Sequence, residues 1–322
     1  MVLVYKRVLR TGTSGEDVKL LQQALVKLGY DPKGVDGGFG PGCLAAVRQF
    51  QYDNGLAVDG LVGPATIRLL NANLRNMEES NPTSPDIYTK IRRFSSNVHI
   101  LTLDKNYKVD PDYNVRNKLE TVSSIIKQRK LIQPNIVAGI NLGFYNFNAS
   151  SEHLGLFIDE GLYYSPPSKN FIDFLYYKTG EVKIVNLYGY DQAKLSALQK
   201  DTYFSFGTSY SLLQQGQINL ENSEKFSHAK YRNPRSLLGV KSDGTFLLVV
   251  VDGRSAINLG VTAIQSAQIM QELGAVQAVN LDGGGSSTMV LVENGIPKLK
   301  NKPSNPGGAE RPVGSVLLAY KK

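Results

Sequence analysis

The chain of 322 residues carries a single cysteine, Cys43, and only three histidines, His99, His153 and His228. One thiol cannot build an intrachain disulfide framework or a cysteine metal cluster. Histidines so far apart give no zinc-ligand spacing, and they leave a peptidoglycan amidase or carboxypeptidase without its metal or nucleophile set. No apolar run is long enough to read as a transmembrane helix. The first residues, Met1 to Arg7, lack an apolar stretch of signal-peptide length, so no recognisable signal peptide is expected there. Charge of one sign is modest: 36 Lys and Arg against 28 Asp and Glu give a net +8, scattered along the chain. That balance favours anionic partners but supplies no basic run that reads as nucleic-acid binding. A composition of 42% hydrophobic and 20% charged residues is ordinary for a globular protein, and the length allows two domains.

What is present begins with a repeat. Val35-Asp36-Gly37-Gly38-Phe39-Gly40-Pro41 is echoed 23 residues later by Val58-Asp59-Gly60-Leu61-Val62-Gly63-Pro64. Each copy is a D-G turn, an apolar plug and a Gly-Pro that places proline in a first helical turn; helices are expected over Leu44 to Phe50 and Ile67 to Leu70. Before them, the spacing of Val18, Leu21, Leu25 and Leu28 predicts a helix that Gly29 stops. Ser14 is its expected N-cap, with Asp17 as an acidic capping-box partner. These residues, with Gln22, Leu28-Gly29-Tyr30 and Phe50-Gln51, resemble the three-helix peptidoglycan-binding domain of bacterial wall hydrolases. A small all-α domain is therefore expected over residues 1–75. The polar, proline-punctuated stretch that follows predicts a linker over 76–90.

Residues 91–322 read differently. Short apolar or alternating runs (Val98 to Leu103, Val182 to Val185, Phe246 to Val251, Ala275 to Val279, Met289 to Val292, Val313 to Tyr320) predict strands, and two helices are expected at Val115 to Arg129 and Thr262 to Leu273. Many strands and few helices imply an α+β domain on a mixed or antiparallel sheet. The focus of this domain is Asn280-Leu281-Asp282-Gly283-Gly284-Gly285-Ser286-Ser287, an acid at a strand end followed by three glycines and two hydroxyls. It reads either as a tight polar turn or as an anion-binding nest of backbone amides. It is not a dinucleotide fingerprint, since the G-x-G-x-x-G spacing is absent.

Further polar groups end apolar runs at Asn141-x-Gly143-Phe144-Tyr145, Asn233-Pro234-Arg235-Ser236, Asp252-Gly253-Arg254 and Arg311-Pro312-Val313. Together with the Asn280 to Ser287 stretch, this set resembles the phosphodiester glycosidase family, that of N-acetylglucosamine-1-phosphodiester alpha-N-acetylglucosaminidase, the uncovering enzyme. The departures are Asn146 where the family has an acid, Ser236 for a threonine, and Gln265 near where a glutamate is common. The resemblance implies a hydrolase that cleaves the sugar C1–phosphate link of a sugar-1-phosphate diester, with Asn141, Arg235, Asp252, Asp282 and Arg311 in its site.

The chemistry suits these residue types. The leaving phosphate monoester has a second pKa of about 6 and departs without full protonation. A cationic clamp and one carboxylate then matter more than the paired acids of an ordinary glycosidase. The expected catalytic set is Asp282 as nucleophile or base, Asp252 as second acid, and Arg235 and Arg311 as clamp. Expected substrate contacts are Asn141 to a sugar hydroxyl or acetamido group, the amides of Gly283, Gly284 and Gly285, and Arg254, Asn280, Ser286, Ser287 and His228. No cofactor and no catalytic metal are called for; a structural divalent cation stays open. Peptidoglycan and an anionic wall polysaccharide such as a teichoic acid are the expected partners, with no nucleic acid and no membrane span. The location implied is the cell wall or the extracellular space, or release in phage-type lysis. The rival reading is a non-catalytic wall- or phosphoglycan-binding protein.

Overall fold

The computed structural model describes residues 3–79, 87–113, 119–145 and 153–322. One compact unit falls within Met1–Thr83, and the other takes up most of Ser84–Lys322. Each is described by itself.

The first unit holds helices α1 (Glu16–Lys27), α2 (Pro41–Asp53) and α3 (Pro64–Glu79). Val18, Leu21 and Leu25 of α1 meet Phe50 of α2 and Leu70 and Leu74 of α3 in one fully buried cluster. Pro41 and Pro64 open α2 and α3, where a missing N–H costs nothing. The repeated D-G turns are held by one buried glutamine apiece. Gln22 Nε2 donates to Asp36 Oδ1 at 2.8 Å and to the Gly38 carbonyl at 2.9 Å, while its Oε1 accepts the Gly37 N–H at 2.8 Å. Gln51 does the same with Asp59 at 2.8 Å, the Leu61 carbonyl at 3.0 Å and the Gly60 N–H at 2.8 Å. The cap of α1 differs from expectation: Gly15, not Ser14, is the N-cap and makes no side-chain cap bond. Asp17 is drawn instead to Arg7, which donates to it at 2.8 and 3.0 Å. The helix α3 runs to Glu79, so residues 76–79 of the expected linker are helical; residues 80–86 lie outside the described residues.

The second unit runs β1 (Tyr88–Arg93), β2 (Ser96–Leu103), β3 (Tyr107–Tyr113), α4 (Val122–Arg129), β4 (Ile136–Asn141), β5 (Phe157–Asp159), β6 (Leu162–Ser165), β7 (Ile172–Tyr177), β8 (Val182–Val185), α5 (Gln192–Asp201), β9 (Thr202–Thr208), β10 (Ser211–Gln214), β11 (Gln217–Ile218), β12 (Arg235–Val240), β13 (Phe246–Val251), α6 (Ala263–Glu272), β14 (Gln277–Asn280), β15 (Met289–Glu293), β16 (Ile296–Leu299) and β17 (Ser315–Lys321). Three sheets result, ordered β1-β2-β13-β12-β14-β10-β11, β16-β15-β4-β17-β3 and β6-β5-β9-β7-β8. The unit begins its first strand at Tyr88, ahead of the expected boundary at 91.

Strands β4, β12 and β13 are buried along their whole length, which is why they read as continuous apolar runs rather than alternating ones. The expected helix from Val115 starts only at Val122: Thr121 caps it by accepting from the Ser124 N–H, and Glu120 pairs with Val313. Residues 115–118 of that expectation lie outside the described residues. Helix α6 follows its sequence signal, with a capping box in which Thr262 and Gln265 serve each other's backbone N–H. Gln265, the departure from a family glutamate, is spent on that cap.

Removing a glutamine that holds a turn by three bonds should be costly. Gln51→Leu is expected to destabilise the three-helix unit by about 2 kcal/mol, since it strands the buried Gly60 N–H. Hydrogen exchange of the α2 and α3 amides in the full chain would report it, and unchanged protection would refute the role given to Gln51.

Candidate active site

Antiparallel register gathers the site. Arg235, the first residue of β12, sits opposite Val251, the last of β13, and Leu237 sits opposite Asn280, the last of β14. The start of β12 and the ends of β13 and β14, the three central strands, therefore lie at one end of the large sheet, and Arg235, Asp252 and Asp282 share that end. The second sheet is joined there through β4. The Asn141 amide donates to the Asp282 carbonyl at 2.6 Å and accepts from Ser236 Oγ at 2.7 Å and the Thr288 N–H at 3.0 Å. The Asp282 N–H donates to the Leu142 carbonyl at 3.0 Å, and the Leu281 N–H to the Ser236 carbonyl at 2.8 Å. The sequence reading gave the Asn141 amide to a sugar; its three internal bonds and 1% exposure make it a positioning group instead. Ser236, the departure from a family threonine, keeps the hydroxyl that this arrangement uses.

Asp282 is 9% exposed. Burial pushes its carboxyl up to about 6, against the opposing pull of Ser286, the nearby Arg311 guanidinium and the Gly283 amide. Arg311 Nη2 stands 3.6 Å from Asp282 Oδ2, and the same guanidinium donates to Ser286 Oγ. Tyr145 lies in the same electrostatic neighbourhood, its hydroxyl donating to the Pro312 carbonyl at 3.0 Å.

Of the three glycine amides expected to meet substrate, that of Gly283 is bonded to the Asp282 carboxyl and that of Gly284 is turned inward. The Gly284 N–H goes to the Pro234 carbonyl at 2.9 Å, and the N–H groups of Ser286 and Ser287 close the turn on Gly283 and Gly284. What the glycines provide is room. A Cβ on Gly283 would lie 3.9 Å from Arg235 Cδ, and one on Gly284 3.1 Å from Arg254 Nη2. On Gly285 it would lie 3.3 Å from Arg311 Nη1 and inside the Asn305 side chain. Gly284 and Gly285 thus leave room for two arginines to close on one turn, next to one carboxylate, with the stem of Arg235 beside Gly283. Gly284, at φ 62°, also takes a left-handed backbone that other residues resist.

Arg235 is 1% exposed and among the largest fully buried side chains. Its hydrogen bonds go to carbonyls only, those of Val261 at 3.2 Å, His228 at 2.7 Å and Tyr231 at 3.0 Å. Carbonyls orient a guanidinium but leave its charge uncompensated, and burial with the neighbouring Arg254 lowers its pKa. Beside it, Tyr210, Phe226 and His228 pack ring to ring with Phe144 and Phe171. His228 is half-buried, and burial with Arg235 lowers its pKa. His153 is buried against Phe157, in the space a Cβ on Gly143 would fill; burial holds it neutral down to about 3.

Two expected contacts are buried, and each keeps one side-chain oxygen without a partner among the described residues, Asn280 Oδ1 and Ser287 Oγ. Asn280 is fully buried and its amide donates to Ser209 Oγ at 3.0 Å and the Leu281 carbonyl at 2.6 Å, so it braces β14. Ser287 is 1% exposed and its carbonyl accepts from Asn301 at 2.9 Å. Asn146 lies outside the described residues.

Asp252 is held differently from Asp282. Its Oδ2 accepts from Asn97 Nδ2 and faces His99 Nε2, both at 3.2 Å, and its Oδ1 accepts the Lys302 N–H at 2.9 Å. Burial raises its pKa, but these partners more than offset the rise and leave it below the usual range. His99 is in turn bonded through Nδ1 to the Tyr88 hydroxyl at 2.8 Å. Asp252 is therefore an anchored carboxylate, not a proton donor as the expected second acid. His99, Tyr88 and Asn305 were missed because no spacing in the sequence links them to the D-G-R or triple-glycine stretches. Asp252 and Arg254 border a cleft of about 340 Å³ whose other side is residues 302–308. Among the described residues no group of three or more His, Cys, Asp or Glu is set to hold a metal, and no helix is long and apolar enough to cross a membrane.

Comparison with known proteins bears on both units. The family model for phosphodiester glycosidases matches residues 134–320, and that for the putative peptidoglycan binding domain matches residues 14–70. The catalytic domain of zebrafish N-acetylglucosamine-1-phosphodiester alpha-N-acetylglucosaminidase has a similar fold, with a TM-score of 0.56 at 22% identity over 73% of this chain and 82% of that one. Among curated proteins, the uncharacterized SPbeta prophage-derived protein YomE of Bacillus subtilis is 28% identical over 57% of this chain. A spore cortex-lytic enzyme of Halalkalibacterium halodurans is 47% identical over 58 residues, 18% of this chain. The chain spans only 28% and 18% of the lengths of these two relatives.

The Asp282 carboxyl titrates higher in the folded chain than in the unfolded one, whose value is near 4. Its contribution to stability is full below pH 4 and is lost as pH rises through about 6. Asp282→Asn removes this dependence, so its stability relative to wild type should improve between pH 5 and pH 8 by on the order of 1–2 kcal/mol. Urea unfolding at the two pH values measures it; a difference that does not grow with pH would contradict a strained, buried carboxyl.

Proposed function

Because the chain belongs to the phosphodiester glycosidase family, we propose that it hydrolyses the sugar C1–phosphate bond of a sugar-1-phosphate diester in an anionic wall polymer of the teichoic-acid kind. The observation that carries this reading is the convergence of Arg235, Arg254 and Arg311 on Gly283–Gly285 beside the high-pKa Asp282. A dianion-forming leaving group needs cations in place before its charge develops, and arginines already held by hydrogen bonds, Arg235 on carbonyls, Arg254 on Asn233 and Arg311 on Ser286, need no rearrangement to provide them.

Cleavage breaks the C1–O bond, and its electron pair leaves on the phosphate oxygen, where Arg235 and Arg311 take up the charge. Ionised Asp282 either bonds to C1, to be displaced by water, or takes the proton of a water attacking C1. In both routes water supplies the hydroxyl of the free sugar and a proton is released. A strong proton donor is dispensable because the phosphate monoester leaves as an anion. That agrees with Asp252 being held as a carboxylate, where it fixes the Lys302 backbone. The N-terminal unit, with its peptidoglycan-binding match, would keep the second unit at the wall and raise its local substrate concentration.

Hydrolysis of an N-acetylglucosamine- or N-acetylgalactosamine-1-phosphate diester tests the reaction. Free sugar should appear, with kcat/KM rising through about pH 6 as Asp282 ionises. Arg235→Ala should lower kcat about 10²- to 10³-fold, the usual loss for one preorganised charge-stabilising donor, and Asp282→Asn should abolish release. A folded Asp282→Asn protein with wild-type turnover would overturn the catalytic assignment; tight diester binding without release would make the protein a phosphoglycan binder. Targeting is read separately: the full chain should sediment with purified sacculi at moderate salt, and a chain beginning at Ser84 should not.

A further inference from the structure

The cleft beside Arg254 is not used by the chemistry above, and its make-up is distinctive. Its two walls are the Asp252–Asn258 stretch and residues 302–308, and Pro303 is the only apolar residue lining it. The walls are tied in place. The Lys302 N–H is held by Asp252 Oδ1 at 2.9 Å, and Asn305 Nδ2 donates to the Gly285 and Ala309 carbonyls, each at 2.9 Å. Asn258 Oδ1 accepts the Asn97 N–H, also at 2.9 Å. Within the walls stand two cations, Arg254 and Lys302, and the Ser304 hydroxyl, whose Oγ is buried and has no hydrogen-bond partner among the described residues. Asp252 contributes little free acceptor capacity, since both its oxygens are already bonded.

The order of groups gives the cleft a direction. Asp282, which must reach the anomeric carbon, is not among its lining residues, whereas Arg254 and Asn305 are. Arg254 lies over Gly284 and Asn305 is bonded to Gly285, so the triple glycine stands between Asp282 and the cleft. Sugar at Asp282, phosphate at the arginines and alcohol in the cleft is the sequence of a sugar-1-phosphate diester. We propose that this cleft is the acceptor subsite and that it takes a polyhydroxylated alcohol bearing a further phosphate, the next unit of a polyol phosphate chain. This rests on the hydrolase reading above. A volume of about 340 Å³ is at the small end of ligand sites, roughly 300–1,000 Å³, and suits one such unit. Lys302 meets the second phosphate, with Arg254 between it and the scissile one, and the Ser304 hydroxyl meets a polyol hydroxyl; an aryl or alkyl alcohol would leave Lys302 and Ser304 desolvated and unpaired.

Three diesters of N-acetylglucosamine-1-phosphate test it, with methanol, glycerol and glycerol phosphate as the alcohol. The expected order of kcat/KM is methyl, then glycerol, then glycerol phosphate, with at least a tenfold rise across the series. Lys302→Ala should collapse the glycerol phosphate preference, and Ser304→Ala the preference of glycerol over methyl. Equal cleavage of all three by wild type would overturn the acceptor subsite while leaving the hydrolase reading intact. Glycerol bisphosphate binding, followed by calorimetry on the full chain, tests the cleft independently of turnover. Binding that Lys302→Ala weakens at least tenfold supports the subsite even where no diester is cleaved, an outcome that would sink only the hydrolase reading. Binding that is absent or indifferent to Lys302 overturns the subsite.

Discussion

One buried amide holds two sheets to a single loop. Asn141, at the end of β4, is bonded to Ser236 on β12, to the Asp282 carbonyl and to the Thr288 N–H. One bond reaches β12 and two reach the two ends of the β14–β15 loop, so the position of Asp282 relative to the start of β12 is fixed by a side chain only 1% exposed. A hydroxyl, an amide oxygen and two backbone groups satisfy one another there, and a buried polar network of this kind is stabilising only when every member is paired. Loss of the amide would leave Ser236 Oγ and the Thr288 N–H unpaired inside the protein and free the loop that carries Asp282.

Around that loop the electrostatics are arranged in opposition to stability. Arg235 is buried on carbonyls alone, and Asp282 is buried with its nearest cation at 3.6 Å rather than in a tight bidentate pair. A tight Arg–carboxylate pair would satisfy both groups and leave neither charge for a substrate. Arg129 and Asp112, elsewhere in the same unit, form such a pair, with Arg129 Nη2 at 2.7 Å from Asp112 Oδ1. The contrast separates charges paired within the fold from charges left without a tight partner, and perturbed groups of the second kind cluster at functional sites.

Sequence pattern revealed the elements with a clear apolar run or cap. β13 is buried throughout and has the limits its apolar run suggests, β8 has its expected limits although only Ile184 in it is buried, and α6 begins at the Thr262 that caps it. Helix α5 went unread because only Leu195 in it is buried, so it carries no apolar stripe. The site was legible as motifs, and Asp282, Arg235 and Arg311 do converge; the roles within it were less legible. Asn141 is a polar residue in the right motif, but its amide is spent on internal bonds, and those are decided by strand pairing that a linear motif does not encode. The partners His99 and Tyr88 reach Asp252 across β2 and β1, some 150 residues away in sequence, so no local signal could assign them.

The same two letters, Asp-Gly, do opposite work in the two units. In the first, Asp36 and Asp59 lie in turns, each accepting the N–H two residues on and the amide of a buried glutamine, and these bonds depress both carboxyls. Solvent covers the carboxylates, and their function is the shape of the turn. In the second, Asp252 and Asp282 stand at the ends of buried strands, and the glycine that follows each is there to let another segment close in. Behind Asp252, a Cβ on Gly253 would lie 2.6 Å from the Pro234 nitrogen; behind Asp282, one on Gly283 would lie 3.0 Å from the Pro234 carbonyl. Both glycines thus press against Asn233-Pro234-Arg235, so the absence of two side chains fixes where Arg235 enters the sheet. Desolvation raises both acids and hydrogen bonds oppose it in both: at Asp252 the bonds from His99, Lys302 and Asn97 outweigh it, whereas at Asp282 burial outweighs Ser286, Arg311 and the Gly283 amide and leaves the carboxyl at about 6.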